Sequence, residues 1–444
     1  MKLFSFKGGV HPFEGKELAK GSPITELKPT GQLAFALSQH IGAPAKAIVK
    51  AGDRVLRGQM IAEAGGFVSA PVHSSVSGTV KGIKPHMTAT GSPVSCILVE
   101  NDGLYEEAER LPVIPLGQMT KDDILNRVGE AGIVGMGGAG FPTKVKLMPK
   151  DPLKIDTIIA NCCECEPYIT ADYRVMMETP ERLIQGMRVI LKLFPMARGV
   201  FAVENNKMDC VEKLRALCAS ETDMEVAVMK TKYPQGGERQ IINAITGRAI
   251  NSSCLPADAG CIVDNVGTLC AISDAVFEGK PLYERVLTVS GEGIQNPSNF
   301  LVPVGMNVSE IIEAAGGFRS GAEKVVSGGP MMGFSMITTD VPVTKTSSSI
   351  LVIEKDEVSR SETTACINCG RCVDACPEFL VPSRLADAAE RNDLEVFDRD
   401  HGAECIECGS CSYVCPAKRH LKQSIATAKK MVLAERKKKA AAMK

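Results

Sequence analysis

The 444-residue sequence has no tryptophan and only 6 tyrosines, which argues against the aromatic platforms on which nucleobases or sugars stack. Its 6 histidines are scattered without an H-x3-H pairing, so none is assigned to a metal. No charge sign dominates: 51 lysines and arginines stand against 52 aspartates and glutamates. With no RNA- or DNA-binding motif either, nucleic acid is set aside as a partner. No apolar run approaches the roughly 18 to 20 residues of a spanning helix. Met1-Lys2-Leu3-Phe4 leads into polar, glycine-rich sequence instead of the apolar stretch of a leader peptide. The expectation is a soluble or peripheral chain of about three or four domains, each long enough to bury its own core.

What the chain does have is cysteine, 17 in all. Eight fall into two copies of one pattern, Cys366-x2-Cys369-x2-Cys372-x3-Cys376-Pro377 and Cys405-x2-Cys408-x2-Cys411-x3-Cys415-Pro416. This is a two-cluster iron–sulfur signature, in which the fourth cysteine of each run ligates the other cluster. Cys366, Cys369, Cys372 and Cys415 are therefore expected to hold one [4Fe–4S], and Cys405, Cys408, Cys411 and Cys376 its neighbour. Zinc sites usually pair two CxxC units or add histidine, and neither run has a histidine among its candidate ligands. A disulfide framework does not suit a chain that reads as cytoplasmic. Cys162, Cys163 and Cys165 are spaced too tightly for a third cluster and read as small buried thiols. Cys96, Cys210, Cys218, Cys254, Cys261 and Cys270 lie singly in apolar surroundings and read as core.

Residues 28–84 alternate short β-branched runs with Gly, Pro and Asp turns, among them Val55 to Ile61, Val68 to Val72 and Val76 to Val80, which predicts a small antiparallel sandwich or barrel. The series resembles biotinyl/lipoyl-like barrel-sandwich domains. The turn that carries the modified lysine in such carriers reads Val72-His73-Ser74-Ser75 here, so a docking or scaffold role is expected. From 118 to 280 buried-strand runs (Ile155 to Ala160, Gly199 to Glu204, Met224 to Met229) alternate with helical spacing (Pro180 to Leu193, Asp209 to Cys218 with an Asp cap, Gly237 to Ile245). That pattern predicts a mostly parallel sheet covered by helices, with ligands at the carboxyl ends of its strands. Residues 285–355 return to strands around one helix, Val308 to Ala315. The end of the chain carries an apolar stripe at Leu421, Ile425, Ala428 and Val432 beside the run Arg436-Lys437-Lys438-Lys439, a basic helix able to meet anionic lipid or a membrane subunit.

The loop Gly135-Met136-Gly137-Gly138-Ala139-Gly140-Phe141-Pro142-Thr143-Lys144-Val145-Lys146 is dense enough in glycine for its backbone to approach a phosphate, with lysines at the rim. It matches neither Walker A nor the GxGxxG fingerprint in context. It resembles the flavin mononucleotide loop of the NADH-oxidising 51-kDa subunit family of respiratory complex I. Three further segments follow in that family's order: Asn161-x-x-Glu164-x-Glu166-Pro167, Tyr233-x-x-Gly236-x-Glu238 and Asn265-Val266-x-Thr268. The resemblance implies that the loop Gly135 to Lys146 holds the phosphate and ribityl chain of FMN, through Gly135, Gly137, Gly138, Ala139, Gly140, Phe141, Thr143 and Lys146. Asn161, Tyr233, Gly236, Glu238, Asn265 and Thr268 would complete the cofactor site, while Glu164 and Glu166, the catalytic candidates, would lie beside the isoalloxazine and nicotinamide. Two positions depart from that family: Cys163 and Gly237 stand where it carries acidic residues.

The order of parts, opening on Phe6-Lys7-Gly8-Gly9-Val10-His11-Pro12 and including Glu164-Cys165-Glu166-Pro167-Tyr168-Ile169-Thr170-Ala171-Asp172, resembles the C subunit family of the Rnf ion-translocating electron-transport complex, with a shorter tail than its long-tailed members. The resemblance implies a multidomain α/β and α+β chain: a barrel-sandwich hybrid over 1–115, an FMN/NAD(H)-binding α/β domain over 116–282, a β-grasp (SLBB) module over 283–352, a helical two-[4Fe–4S] ferredoxin-type domain over 353–417 and a basic helical tail over 418–444. It further implies FMN and two [4Fe–4S] clusters as cofactors and NAD(H) as substrate. The implied partners are other membrane and iron–sulfur subunits and, indirectly, ferredoxin, at the cytoplasmic face of a bacterial membrane. A cobalamin reductase of bacterial microcompartments, or an iron–sulfur relay that has lost its nucleotide, are the alternative readings.

Overall fold

Alternation within the apolar runs decides the central layer. In the computed structural model, which describes residues 2–442, four parallel strands lie in the order Met224–Met229, Arg198–Glu204, Thr157–Cys162, Cys261–Asn265. Ile158, Ala160, Phe201 and Val203 face one apolar layer; Ile159, Val200, Ala202 and Val263 face the other. A sheet buried on both faces reads as continuous hydrophobic runs, and each fully buried Val, Ile or Phe contributes about 1.5–3 kcal/mol. Helices Ala171–Glu178, Pro180–Leu193, Met208–Cys218, Glu238–Thr246 and Val266–Ser273 connect and cover the strands. Pro180 opens its helix as expected, but Asp209 is not the N-cap residue: the third helix starts one residue earlier, after Lys207, and the Asp209 carboxylate accepts from Cys210 N at 2.9 Å and from Tyr173 Oη at 2.6 Å.

The amino-terminal barrel-sandwich pairs Gln32–Ala36, Pro93–Asn101, Gly78–Met87 and Arg54–Val55 in one sheet, and Lys46–Ala47, Met60–Glu63 and Val72–His73 in another, around Leu33, Phe35, Ile61, Val80 and Ile97. The run expected from Val55 to Ile61 is broken: Gln59 Oε1 accepts from Leu56 N at 2.9 Å and Gly58 turns at φ +83°, so the chain changes sheets there. The run expected from Val68 to Val72 is strand only at Val72–His73. The turn Val72–Ser75 is buried, with Ser75 Oγ donating to Val304 O at 2.6 Å.

A six-stranded mixed sheet follows, in the order Ile24–Glu26, Ser298–Pro303, Glu284–Ser290, Ser349–Ile353, Lys324–Ser327, Phe334–Ser335, with helix Val308–Ala314 packed on it. Its edge strand, Ile24–Glu26, comes from the opening segment, which also runs beside the parallel sheet, Phe4 bridging Met229 and Val10 bridging Tyr233. The two cysteine runs repeat one backbone course: Asn368 and Gly370 in the first, Glu407 and Gly409 in the second, take positive φ, and each run ends in a short helix, Arg371–Asp374 or Ser410–Tyr413. Helix Leu421–Ala442 buries Leu421, Ile425, Ala428 and Val432 against them. Among the described residues no helix is long and apolar enough to cross a membrane.

Candidate redox site

In the parallel sheet the chain goes from Thr157–Cys162 outward in one direction and returns to place Cys261–Asn265 on the other side. Ligands bind at such a topological switch point, outside the carboxyl ends of the strands. Asn161, next to last in its strand, and Asn265, last in the neighbouring one, are register partners. Asn161 Nδ2 donates to Gly236 O at 2.8 Å, and Asn265 Nδ2 to Asp172 Oδ2 at 2.6 Å.

The glycine-rich loop closes over this point. Met136 N donates to Thr268 Oγ1 at 3.0 Å and Gly135 N to Phe141 O at 2.9 Å, so buried Thr268 holds the loop from behind. A Cβ on Gly137 would lie 2.9 Å from Asn265 Cβ, whereas one on Gly138 would meet nothing within 4 Å. Gly140 has φ +72° and is packed against Thr346. Ala139 and Phe141 lie between these glycines and the short helix Thr143–Lys146. Lys146 Nζ donates to Val263 O and Asp264 Oδ1, each at 2.8 Å. Glu238 stands exposed on the first turn of its helix, two residues after Gly236. The loop, Lys146, Asn161, Gly236, Glu238, Asn265 and Thr268 thus share one corner of the molecule. Tyr233 does not join them: it is buried and donates through Oη to Cys408 O at 2.7 Å, toward the cysteine runs.

The segment after Asn161 is shaped by a residue that sequence reasoning missed. Lys16 Nζ, buried, donates to the carbonyls of Glu164, Glu166 and Ile169 at 2.8, 3.0 and 2.6 Å. Glu164, at φ +46°, turns its carboxylate onto the start of helix Ala171–Glu178, accepting from Asp172 N at 2.7 Å and Tyr173 N at 3.3 Å. Burial, opposed by Lys16, pushes the Glu164 carboxyl up, and burial lowers Lys16 in turn. Glu166 accepts from Met331 N at 3.1 Å and Met332 N at 2.8 Å, so its carboxylate is seated in a turn of the β-grasp module. Behind them Lys207 Nζ bonds Cys163 O at 2.6 Å and pairs with buried Glu204 at 3.1 Å. Nothing local in the sequence marks Lys16 or Lys207.

Cys366, Cys369, Cys372 and Cys415 line one open pocket. Cys405, Cys408 and Cys376 gather around Cys411 as the other neighbouring group. Burial pushes the Cys405 and Cys411 thiols up to about 12. A metal ion deprotonates the thiol it coordinates, so iron bound here would reverse that rise. Cys162 and Cys163 are buried, with Cys163 Sγ against Ala202 O at 3.5 Å.

The barrel-sandwich matches the RnfC barrel sandwich hybrid domain over residues 4–104, the parallel sheet the Nuo51 FMN-binding domain over 128–274, the mixed sheet the SLBB domain over 286–335 and the cysteine runs a 4Fe-4S dicluster domain over 358–416. The chain is 43% identical over 439 residues, 99% of each sequence, to the C subunit of the Na(+)-translocating ferredoxin:NAD(+) oxidoreductase complex of Acetobacterium woodii. It belongs to that C-subunit family. The C subunit of the proton-translocating ferredoxin:NAD(+) oxidoreductase complex of Clostridium ljungdahlii is 42% identical over 86% of this chain and 84% of its own length. The C subunit of the ion-translocating oxidoreductase complex of Erwinia tasmaniensis is 39% identical over 86% of this chain but 48% of its own, longer sequence. Among solved structures, an air-oxidised NAD+-reducing [NiFe]-hydrogenase shares the fold at TM-score 0.50 and 19% identity, covering 67% of this chain and 60% of that one.

The C-subunit family implies FMN and two [4Fe–4S] clusters, and the residues fit both. For FMN, the loop leaves open space at Gly138, Lys146 supplies a cation, and the buried Thr143 hydroxyl and Asp264 Oδ2 stand without a protein partner. For the clusters, two groups of four thiols are drawn from the crossed runs, and the first lines a pocket.

Proposed function

We propose that this chain is the peripheral subunit that exchanges hydride between NAD(H) and FMN and hands single electrons through two [4Fe–4S] clusters, within a ferredoxin:NAD oxidoreductase complex coupled to Na+ or H+ translocation. The observation that carries it is the convergence of the glycine-rich loop, Asn161, Asn265 and Lys146 at the switch point of the sheet, in one chain with two cysteine quartets. A flavin, when bound, accepts one hydride and releases its two electrons singly, which neither a nicotinamide nor a cluster does alone. The chain's own residues supply placement.

Gly135, Gly137, Gly138 and Gly140 let the backbone approach the phosphate and ribityl chain, and Lys146 offsets its charge. Asn161 and Asn265 orient the ring, and Gly236 and Glu238 border it. Glu164 stands at the nicotinamide side: its carboxyl, raised by burial, holds a proton at higher pH than an ordinary glutamate does. Glu166 acts from one step further back, through the β-grasp turn it seats. Cys366, Cys369, Cys372 and Cys415 ligate one cluster; Cys405, Cys408, Cys411 and Cys376 the other.

The pump lies in other subunits, and ferredoxin is reached through them. The working place is the cytoplasmic face of the membrane, held there by partner subunits and by contact of the basic helix with anionic lipid. The test is anaerobic reconstitution with iron, sulfide and FMN, followed by the absorbance change on adding NADH. Bleaching of flavin and cluster bands is expected. Iron and sulfide without flavin or an NADH response would leave a relay, with hydride chemistry elsewhere.

A further inference from the structure

Lys16 stands against the turn 164–169 and commits its whole ammonium there. A lysine carries three N–H donors, and the bonds to Glu164 O, Glu166 O and Ile169 O use all of them. The turn it fills is strained. Glu164 and Tyr168 take φ +46° and +67°, and non-glycine residues keep such conformations only where the surroundings over-determine them. Lys16 is itself delivered by a segment fixed on both sides. Upstream, Gly9 N donates to Ala375 O at 2.9 Å, beside the more buried quartet of Cys376, Cys405, Cys408 and Cys411, and Val10 pairs with Tyr233. Next to Lys16, Glu14 O accepts from Tyr168 N at 2.7 Å, and a Cβ on Gly15 would lie 2.5 Å from the Tyr168 ring. Downstream, Asn299 Nδ2 donates to Ala19 O at 2.9 Å.

One of the three bonds decides where a peptide points. In a planar trans peptide the C=O and N–H are antiparallel, so holding Glu164 O on the ammonium turns the N–H of Cys165 to the opposite side. Among the described residues that N–H has no hydrogen-bond partner. Cys165 is tied to the flavin cradle: its Sγ accepts from Gly236 N at 3.4 Å, and Gly236 O accepts from Asn161 Nδ2 at 2.8 Å. The Glu164 carboxylate is turned elsewhere, onto Asp172 N and Tyr173 N. Asp172 in turn accepts from Asn265 Nδ2, so the turn is joined to both asparagines of the cradle.

We infer that Lys16 is a positioning residue for the flavin: by holding Glu164 O it aims the N–H of Cys165 as a donor at the flavin ring, and so sets the potential of that ring. This rests on the functional reading above. NADH hands its hydride to the flavin and leaves as NAD+, so the reduced ring holds two more electrons, one more proton and one more negative charge than the oxidised ring. A fixed donor in a site shielded from water stabilises that charge more than it stabilises the uncharged oxidised ring. A donor that favours the reduced form by about tenfold raises a two-electron potential by about 30 mV.

The test uses the full chain reconstituted with iron, sulfide and FMN. The flavin potential is read by dye-equilibrated titration of the flavin band, after subtracting protein reconstituted without FMN. In Lys16→Met it is expected to fall by about 30 mV, a tenfold change in the ratio of reduced to oxidised flavin, at unchanged iron content. Lys16→Arg, which keeps the charge and the donors, is expected to recover at least half of that shift. Hydrogen exchange resolved to the residue gives a second readout in the wild-type protein. Adding FMN is expected to slow the Cys165 amide by about tenfold more than the Thr170 amide, which is already bonded to Thr288 Oγ1. A Lys16→Met protein whose bound flavin keeps the wild-type potential, whatever its FMN retention, makes Lys16 merely structural and overturns the inference. So does a Cys165 amide that FMN slows no more than that of Thr170, and this result decides the matter if Lys16→Met does not fold. Wild-type protein that binds no flavin refutes the functional reading instead, and this inference with it.

Discussion

Arg239 carries the most exposed wager on how the buried quartet is mounted. Its guanidinium holds Glu378, two residues after Cys376, and Glu404, one residue before Cys405. Charge-assisted hydrogen bonds are worth about 1.5–3 kcal/mol each. The three side chains are 18, 11 and 27% exposed, so water replaces part of what Arg239→Ala removes. Gln240 still serves Glu378, and Ser252 N still donates to Glu404 at 2.7 Å. The expected loss is about 2–3 kcal/mol of local docking, a roughly 30- to 150-fold rise in the open population of these loops, since about 1.4 kcal/mol is tenfold. Hydrogen exchange of the amides in 375–378 and 404–409 reads that population directly. Arg239→Lys keeps the charge but not the fork and should fall between. The bridge is also acid-sensitive. Burial opposes it, but Ser252 and Arg239 together hold the Glu404 carboxyl below its ordinary value. Its contribution is thus present above the ordinary carboxylate range and lost as pH falls through the depressed value. Unchanged protection in Arg239→Ala, with wild-type iron release, would refute the mount.

Lys345 is buried and donates to Pro71 O at 2.6 Å and Gly132 O at 2.7 Å, and burial pushes its ammonium from 10.5 down to about 7. The unfolded chain binds the extra proton between those values, so stability should rise with pH across that window, by at most about 5 kcal/mol for a shift of about 3.5 units. In Lys345→Met the thermal midpoint should lose this rise; a rise that persists locates the titration elsewhere. Gly137→Ala places a Cβ 2.9 Å from Asn265 and should lower flavin retention after desalting without changing the far-ultraviolet dichroism, whereas full retention would move the ring away from Asn265. Removing residues 434–444 should weaken co-sedimentation with anionic vesicles and leave iron content unaltered; undiminished binding would assign membrane attachment to partner subunits alone.

Relations that act over a few residues are written into the sequence by itself. Cluster ligands must sit two and three residues apart on one turning segment, so the doubled runs declare the iron–sulfur class before any fold is known, and the structure repeats one backbone course in both. Strands buried on two faces require unbroken apolar runs, so Met224–Met229 and helix Pro180–Leu193 begin and end where the pattern says. The barrel's short strands were less legible, because a chain that changes sheets at Gly58 leaves no period to follow. What tertiary structure alone decided are contacts between distant segments. Lys16 reaches carbonyls 148 to 153 residues away, Glu166 finds its donors 165 and 166 residues on, and Tyr233 meets Cys408 across 175. No spacing rule encodes such pairs, because the energy of burying a lysine or seating a carboxylate depends on which surfaces folding brings together. For the same reason two quartets of identical spacing became unlike, one packed against the flavin-binding sheet and one open to solvent.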